Sequence, residues 1–272
     1  MLYYNQISQQ SPQYSLNFNG TSQYLLSQTT VQGGVDFVQW ERTQAFTLFV
    51  RFKITSYSTD SILTIFSTLS TLSNFKGIFL GLVSSSKSLN LNIAASDTNR
   101  IVVNTGANTI LLNTDYIMQM AYDGSSNANN ITIKINNVVV PYTVAFNSLT
   151  TTIIGGQNNF VLGRFFTQAT NIPRFLNGHI RHISFVNYVK SSTELTADFN
   201  NKKQSVGTGS WLLSPIEPTY KDDSSKQIKS LSTTSINNPL PNANAFINSQ
   251  GYKLNLFNYP TTLIKGTDLI KL

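Results

Sequence analysis

Apolar and polar residues alternate one by one along much of this chain, and the alternation is most regular in Asp115–Val140. Tyr116–Tyr122 places its Tyr and Met side chains on one face, and Asn130–Ile135 places three isoleucines on one face opposite polar residues. A period of two is typical of a β-strand with one buried face. The pairs Asp123-Gly124 and Asn136-Asn137 favour chain reversal. We therefore predict an antiparallel meander of three strands, whose apolar face requires a second sheet.

Further strands are predicted on both sides of this meander, and one helix follows them. Phe46–Ile54 is the most hydrophobic strand. The helix is indicated by a capping box, in which the Ser191 hydroxyl accepts a hydrogen bond from the Glu194 backbone N–H and the Glu194 side chain reaches back. We expect this helix to end near Asn200-Asn201. The remaining predicted strands are Tyr14–Phe18, Tyr24–Leu26, Ile62–Ser67, Gly77–Val83, Leu89–Ala94, Ile101–Asn104, Phe160–Gly163 and Gly178–Val186.

Changes in composition along the chain predict three segments. Residues 1–13 are polar and are interpreted as an N-terminal arm, and residues 14–203 hold the strands and the helix. Residues 204–272 begin with a Gly/Ser/Gln-rich linker and hold five of the eight prolines. Such a segment has few runs of strand length, so we expect an extended C-terminal tail that packs on its own domain or on a neighbour.

The composition narrows the possible classes of protein. The chain has 272 residues, no cysteine and a net charge of +7, and only 11% of its residues are charged, against roughly 25% in soluble domains. We expect no disulfide and no membrane span, because no apolar run reaches about 18 residues. The opening MLYYNQISQQ lacks a basic and an apolar region, so we expect no signal peptide. The aromatic and basic interval 164–175 matches no nucleic-acid motif, so we expect no nucleic-acid partner.

Five stretches, in this order, resemble the laminin-G-like and concanavalin A-like lectin superfamily. They match, in turn, the family's opening strand, the strand with the pattern FTi-fwvk, the central hairpin, the turn with the pattern l-iG, and the closing strand and helix. The stretches are Tyr14–Leu26, Phe46–Ile54, Tyr116–Val140, Phe160–Gly163 and Leu176–Phe199. The resemblance implies a two-sheet antiparallel jelly-roll sandwich, with one short helix and the extended tail outside the match. It also implies binding of sugars, proteins or lipids through rim loops, in some members with calcium. The chain departs from the family at Asn136-Asn137, where Asn-Gly is common, and at His182, where the family has Asp.

The chain lacks the usual carboxylates of a glycosidase, although the same superfamily includes β-glucanases. Glycoside hydrolysis uses two carboxyl groups some 5–10 Å apart. Of the three glutamates, none lies within three residues of another carboxylate. His179 and His182 are three apart, so on a regular strand they point to opposite faces and are not expected to share a metal. We therefore assign no catalytic residue and expect no enzyme activity.

Three aromatic residues in or beside loops are candidates for carbohydrate binding: Trp40, Tyr57 and Phe75. An exposed ring stacks on a pyranose face while amides and carboxylates bind the hydroxyls. The alternative for Trp40 is burial in a connector, and for the other two it is ordinary loop packing.

Three aspartates in or near predicted loops are weak candidates for calcium ligands: Asp97, Asp115 and Asp123. Calcium takes six to eight oxygen ligands, several of them carboxylates. The alternative is that each aspartate only forms a turn in contact with solvent. We therefore assign no metal or other cofactor, and calcium is the one alternative.

Three functional hypotheses follow. The first is a non-enzymatic bacteriophage structural protein on the capsid surface, fibre or tail. It would be made in the host cytoplasm and found in the virion. It would pair with other virion subunits in a larger assembly, and host surface glycans are a further expected partner. The second is a free-standing carbohydrate-binding lectin or adhesion module. The third, and least favoured, is a glucanase-like hydrolase.

Overall fold

The computed structural model describes residues 15–27, 40–57, 62–69, 75–154, 161–165 and 174–202, and the backbone of four short strands farther along the chain. The predicted arm 1–13 lies outside the described residues, as does most of 204–272. Up to residue 105 the strands are β1 (Leu16–Asn19), β2 (Leu25–Ser27), β3 (Phe46–Ile54), β4 (Ile62–Ser67), β5 (Gly77–Val83), β6 (Ser88–Ala94) and β7 (Arg100–Thr105). Up to residue 165 they are β8 (Asp115–Tyr122), β9 (Thr132–Ile135), β10 (Val138–Val139), β11 (Tyr142–Asn147), β12 (Val161–Leu162) and β13 (Arg164–Phe165).

The last third of the chain adds strands and the helix. These elements are β14 (Arg174–Phe175), β15 (Asn177–Val186), α1 (Ser192–Asn201), β16 (Trp211–Leu213), β17 (Leu231–Ser232), β18 (Tyr252–Leu254) and β19 (Leu263–Lys265). A 3₁₀ turn covers Ala128–Asn130. No helix in the described residues is long and apolar enough to cross a membrane.

Two antiparallel sheets face each other across one core. Sheet A runs in the order β1-β15-β3-β8-β9-β10, with β16 also paired to β15. Sheet B runs in the order β11-β7-β6-β5-β4-β12-β2-β17. Smaller pairs join β13 to β14 and β18 to β19. This architecture confirms the predicted all-β sandwich, and β16 and β17 pair parts of the C-terminal segment with the chain's own sheets.

The inner faces of the two sheets form the core because every second side chain along their strands is apolar. On β3 these are Phe46, Leu48, Val50 and Phe52, each at most 1% exposed. Burying one such side chain contributes roughly 1.5–3 kcal/mol. Helix α1 covers part of the outer face of sheet A, where the Gln119 side chain donates to the Leu195 carbonyl at 2.6 Å.

The capping box that predicts the helix is present. The Glu194 backbone N–H donates to the Ser191 hydroxyl at 3.3 Å, and the Ser191 N–H donates to the Glu194 carboxylate at 2.8 Å. The helix ends at Asn201, and Lys202 caps it in the left-handed conformation. The hairpin pair Asn136-Asn137 also adopts positive φ, at 50° and 66°. The local rules for caps and turns therefore hold here.

The prediction that His179 and His182 lie on opposite faces is wrong. A bulge interrupts the pairing of β15 with β3 between Ile180 and His182, so His179 lies opposite Lys53 and His182 lies opposite Arg51. Because Arg51 and Lys53 are two apart on a regular strand, both histidines lie on the outer face of sheet A. A bulge places one extra residue in its strand and shifts the alternation by one. Within the described part of the chain, no group of three or more metal-binding side chains includes them.

Candidate functional site

A groove with a cavity of about 350 Å³ lies on the outer face of sheet B. Its floor comes from β4, β5, β6 and β7, which carry Ile62, Phe79, Asn92 and Val102 among the lining residues. The residues that line its walls lie outside these strands: Leu69, Phe75, Asp97, Phe165 and Arg174. The cavity falls in the usual range of roughly 300–1,000 Å³ for small-ligand pockets.

Three phenylalanines form the apolar part of the groove. The Phe75 and Phe165 rings are nearly parallel, with centroids 6.3 Å apart, and Phe79 meets Phe165 edge-on at 5.3 Å. Phe79 and Phe165 are buried, whereas Phe75 is half-buried and presents part of its ring to the cavity. Phe75 has φ of 52°, a left-handed backbone conformation that is uncommon for a bulky residue.

Two buried polar atoms in the groove have no hydrogen-bond partner. They are the Asn92 Oδ1, an acceptor, and the Arg100 Nε, a donor. The cross-strand neighbours of Asn92 are Phe79 and Val102, whose side chains have no polar atom. A buried polar group without a partner costs about 1–3 kcal/mol, so a ligand that satisfies both atoms recovers this free energy.

The charged groups of the groove are two arginines and one aspartate. The Arg100 guanidinium lies over the Phe146 ring at 4.2 Å, and the Arg174 guanidinium lies over Phe165 at 5.4 Å. Stacking on a ring orients a guanidinium while leaving its edge free to donate hydrogen bonds. Asp97 is exposed at the turn between β6 and β7. The groove therefore offers more positive than negative charge.

The structure separates the three predicted aromatic residues. Trp40 lies in the core at 8% exposure and stacks on Phe185, with ring centroids 4.6 Å apart. Its ring is packed among core side chains and is not presented to a ligand, so the structure favours the buried alternative for Trp40. Tyr57 packs against the core and donates from its hydroxyl to the Ile110 carbonyl at 2.8 Å. Of the three, Phe75 alone lines the groove.

The three predicted calcium ligands lie in different surroundings. Asp97 lines the groove, and Asp115 forms an ion pair with Arg181 at 3.1 Å. Asp123 accepts from the Ser125 backbone at 2.9 Å and from the Asn130 amide at 2.9 Å. Burial acts to raise the pKa of Asp123, but these hydrogen bonds outweigh it and lower the pKa. No group of three or more His, Cys, Asp or Glu side chains that could hold a metal occurs among the described residues, and calcium binding stays a prediction.

Most groove residues were not predicted from the sequence. Asn92 and Arg100 lie at outward positions, where polar residues are expected in any half-exposed sheet, so no local pattern distinguishes them. The interval from Arg164 to Phe175 does combine aromatic and basic residues, and it supplies Phe165 and Arg174 through the β13–β14 pair. The mixed aromatic and basic composition of this interval could therefore have indicated a binding surface, although the interval matches no nucleic-acid motif.

The arrangement of two antiparallel sheets with a groove on one outer face can be compared with known proteins. No family model matches the chain, and no curated protein matches it in sequence. Solved structures match it in fold. The CBM40 module of Ruminococcus gnavus IT-sialidase, bound to α2,6-sialyllactose, has a TM-score of 0.50 at 15% identity, covering 68% of this chain and 95% of the module. The chain has a lectin-like jelly-roll fold.

Two further solved structures are similar to this chain at lower TM-scores. The heptameric SAP-like pentraxin of Limulus polyphemus has a TM-score of 0.49 at 14% identity, covering 69% of this chain and 82% of that protein. A structure of botulinum neurotoxin type C, described as interacting with two ganglioside molecules, has a TM-score of 0.45 at 14% identity. The match covers 69% of this chain and 46% of that protein. At such identities the likeness concerns the fold alone.

Proposed function

We propose that this lectin-like domain binds carbohydrate in the groove on sheet B. The observation that carries the proposal is the pair of buried, unpartnered atoms, the Asn92 acceptor and the Arg100 donor, beside an accessible Phe75 ring. A sugar hydroxyl both donates and accepts, so one hydroxyl or two neighbouring ones satisfy both atoms. The apolar face of the sugar ring then lies against Phe75.

The groove is better suited to binding than to bond cleavage. Hydrolysis by the usual route requires an acid and a second carboxylate on either side of the glycosidic bond. Asp97 is the one carboxylate among the described lining residues. We infer a non-enzymatic module, for which an assay of reducing-sugar release from β-glucans should detect no turnover. Turnover by the folded wild-type protein would contradict this inference, and its loss in Asp97→Asn would assign the activity to the groove.

The binding proposal is tested with a glycan array followed by calorimetry on the best ligand. α2,6-Sialyllactose is a suitable first probe, because the CBM40 module of similar fold was solved with it. Asn92→Ala and Arg100→Met should each weaken binding about tenfold, which corresponds to about 1.4 kcal/mol for a lost hydrogen bond. Phe75→Ala should weaken it by a similar factor.

The matched control is Asn17→Ala, which removes an exposed amide from β1 in sheet A. This variant should bind as the wild type does. A blank array with folded wild-type protein would refute carbohydrate binding, and equal affinity of the Asn92, Arg100 and Phe75 variants would refute its placement in the groove.

We further propose, from the sequence, that the module belongs to a virion. Low charge, the absence of cysteine and a proline-containing C-terminal segment support this proposal. Mass spectrometry of purified phage particles should then detect the chain as a component. Its consistent absence from such particles would favour the free-standing lectin.

A further inference from the structure

A basic cluster lies on the outer face of sheet A, on the opposite side of the sandwich from the groove. It consists of Arg51, Lys53, His179 and Arg181. Lys53 lies opposite His179 on β15 and opposite Asp115 on β8. Arg181 lies two residues after His179 and faces the same side, where its Nη1 lies 3.1 Å from the Asp115 Oδ1. Three permanent cations therefore face one carboxylate, which leaves an excess of two positive charges.

Arg51 is the most desolvated member of the basic cluster. It is 9% exposed, and its guanidinium makes no hydrogen bond or ion pair with any of the described residues. Burial and the like charge of Arg181 lower the pKa of Arg51, while Asp115 acts in the opposite direction. An arginine does not lose its proton in a protein, so the largely buried charge persists and an anionic partner would stabilise it.

Arg181, like Arg51, has guanidinium N–H groups without a hydrogen-bond partner. Its Nε is buried without a hydrogen-bond partner, although its Nη1 pairs with Asp115. The side chain is 23% exposed, so the basic cluster is reachable from solvent. The His179 Nδ1 lies 3.4 Å from the Ser15 hydroxyl, and this hydroxyl is a further possible donor beside the arginines. The cluster therefore has several donors, some of them unused, and few acceptors.

We propose that the basic cluster binds a dianionic oxyanion of the sulfate or phosphate-ester class. Two guanidinium groups and one ammonium group match a tetrahedral dianion in charge and in donor geometry, because each guanidinium presents paired N–H groups to oxygen atoms. The burial of Arg51 limits screening by solvent at this position, which strengthens its attraction to an anion. This site is independent of the proposed carbohydrate groove, since it lies on the other sheet and shares no residue with it.

The test is calorimetric titration of the full chain with sodium sulfate and with inorganic phosphate at constant ionic strength. Sodium acetate serves as the monoanionic comparison. The wild type should bind one dianion per chain and should bind acetate at least tenfold more weakly. Arg51→Met and Arg181→Met should each weaken dianion binding at least tenfold. Circular dichroism checks that both variants are folded.

Lys202→Gln is the charge-matched control, because it removes one exposed cation at the end of α1. This variant and Asn92→Ala in the groove should both bind sulfate as the wild type does. In the absence of the dianion, Arg51→Met should unfold at the same temperature as the wild type or higher, because it removes a largely desolvated charge that the like charge of Arg181 repels. The absence of saturable sulfate or phosphate binding, or unchanged binding in both arginine variants, would overturn the proposal.

Discussion

Removing one partner of the buried ion pair between Lys190 and Asp198 should destabilise the domain strongly. The Lys190 Nζ lies 2.7 Å from the Asp198 Oδ2, and the two side chains are 1% and 3% exposed. Lys190 lies in the connection from β15 to α1, and its backbone N–H donates to the Thr47 hydroxyl on β3 at 2.9 Å. The pair therefore fastens the helix to the outer face of sheet A.

The expected magnitude follows from the burial of both charges. Lys190→Met leaves the Asp198 carboxylate buried without its cation, which costs about 3–5 kcal/mol of the free energy of unfolding. At 3 kcal/mol the equilibrium constant for unfolding rises by about two orders of magnitude. The double variant Lys190→Met with Asp198→Leu removes both charges and should be more stable than Lys190→Met alone, because neither charge is then left unpaired.

Urea unfolding, followed by circular dichroism, measures all three free energies. Asp198→Leu alone completes the double-mutant cycle, which isolates the energy of the pair from the other effects of each change. A loss of less than about 1 kcal/mol in Lys190→Met would refute the reasoning, because it would show that solvent reaches the charges. A double variant that loses the sum of both single losses would refute it as well.

Three further predictions concern a cap, a turn and a histidine. Ser191→Ala removes the acceptor for the Glu194 N–H and should cost about 1 kcal/mol in urea unfolding. Gly124→Ala should lower the thermal midpoint, because φ is 79° there and an added Cβ would lie 2.5 Å from the Thr43 carbonyl oxygen. Burial, with Lys53 and Arg181, lowers the pKa of His179 below 6.5, so the native state binds fewer protons than the unfolded state. Stability should therefore fall as the pH drops through 6.5, and His179→Gln should reduce that dependence in urea unfolding at several pH values.

Strands with one buried face could be predicted closely from the sequence. Phe46–Ile54 and Gly77–Val83 have the predicted bounds, because their inner faces carry large apolar residues at every second position. Strand β11 was not predicted. Its residues Tyr142–Asn147 are mostly exposed and form the edge of sheet B, so no buried face imposes an alternation on them. Edge strands are specified by pairing with a neighbour, which the local sequence does not reveal.

The bulge at Arg181 shows a second limit of periodic reasoning. Ile180 and Ile183 both lie in the core although they are three apart, and this spacing was visible in the sequence. A strict period of two assigns them to opposite faces, and so it misplaced His179 and His182 as well. Regular alternation from His179 places Arg181 on the outer face as well, so the bulge does not create the basic cluster; it adds His182 to that face opposite Arg51.

Asn90 and Asn92 show why the groove could not be found from the sequence. They lie two apart on the same face of β6, in the repeat Leu-Asn-Leu-Asn-Ile, so their local patterns are the same. The Asn90 amide donates to Asn104 at 2.8 Å on the neighbouring strand, whereas Asn92 lies between Phe79 and Val102 and its Oδ1 has no partner. The difference arises from cross-strand register alone. A polar residue on an outer face becomes a candidate for ligand binding only when its neighbours across the sheet leave it unsatisfied.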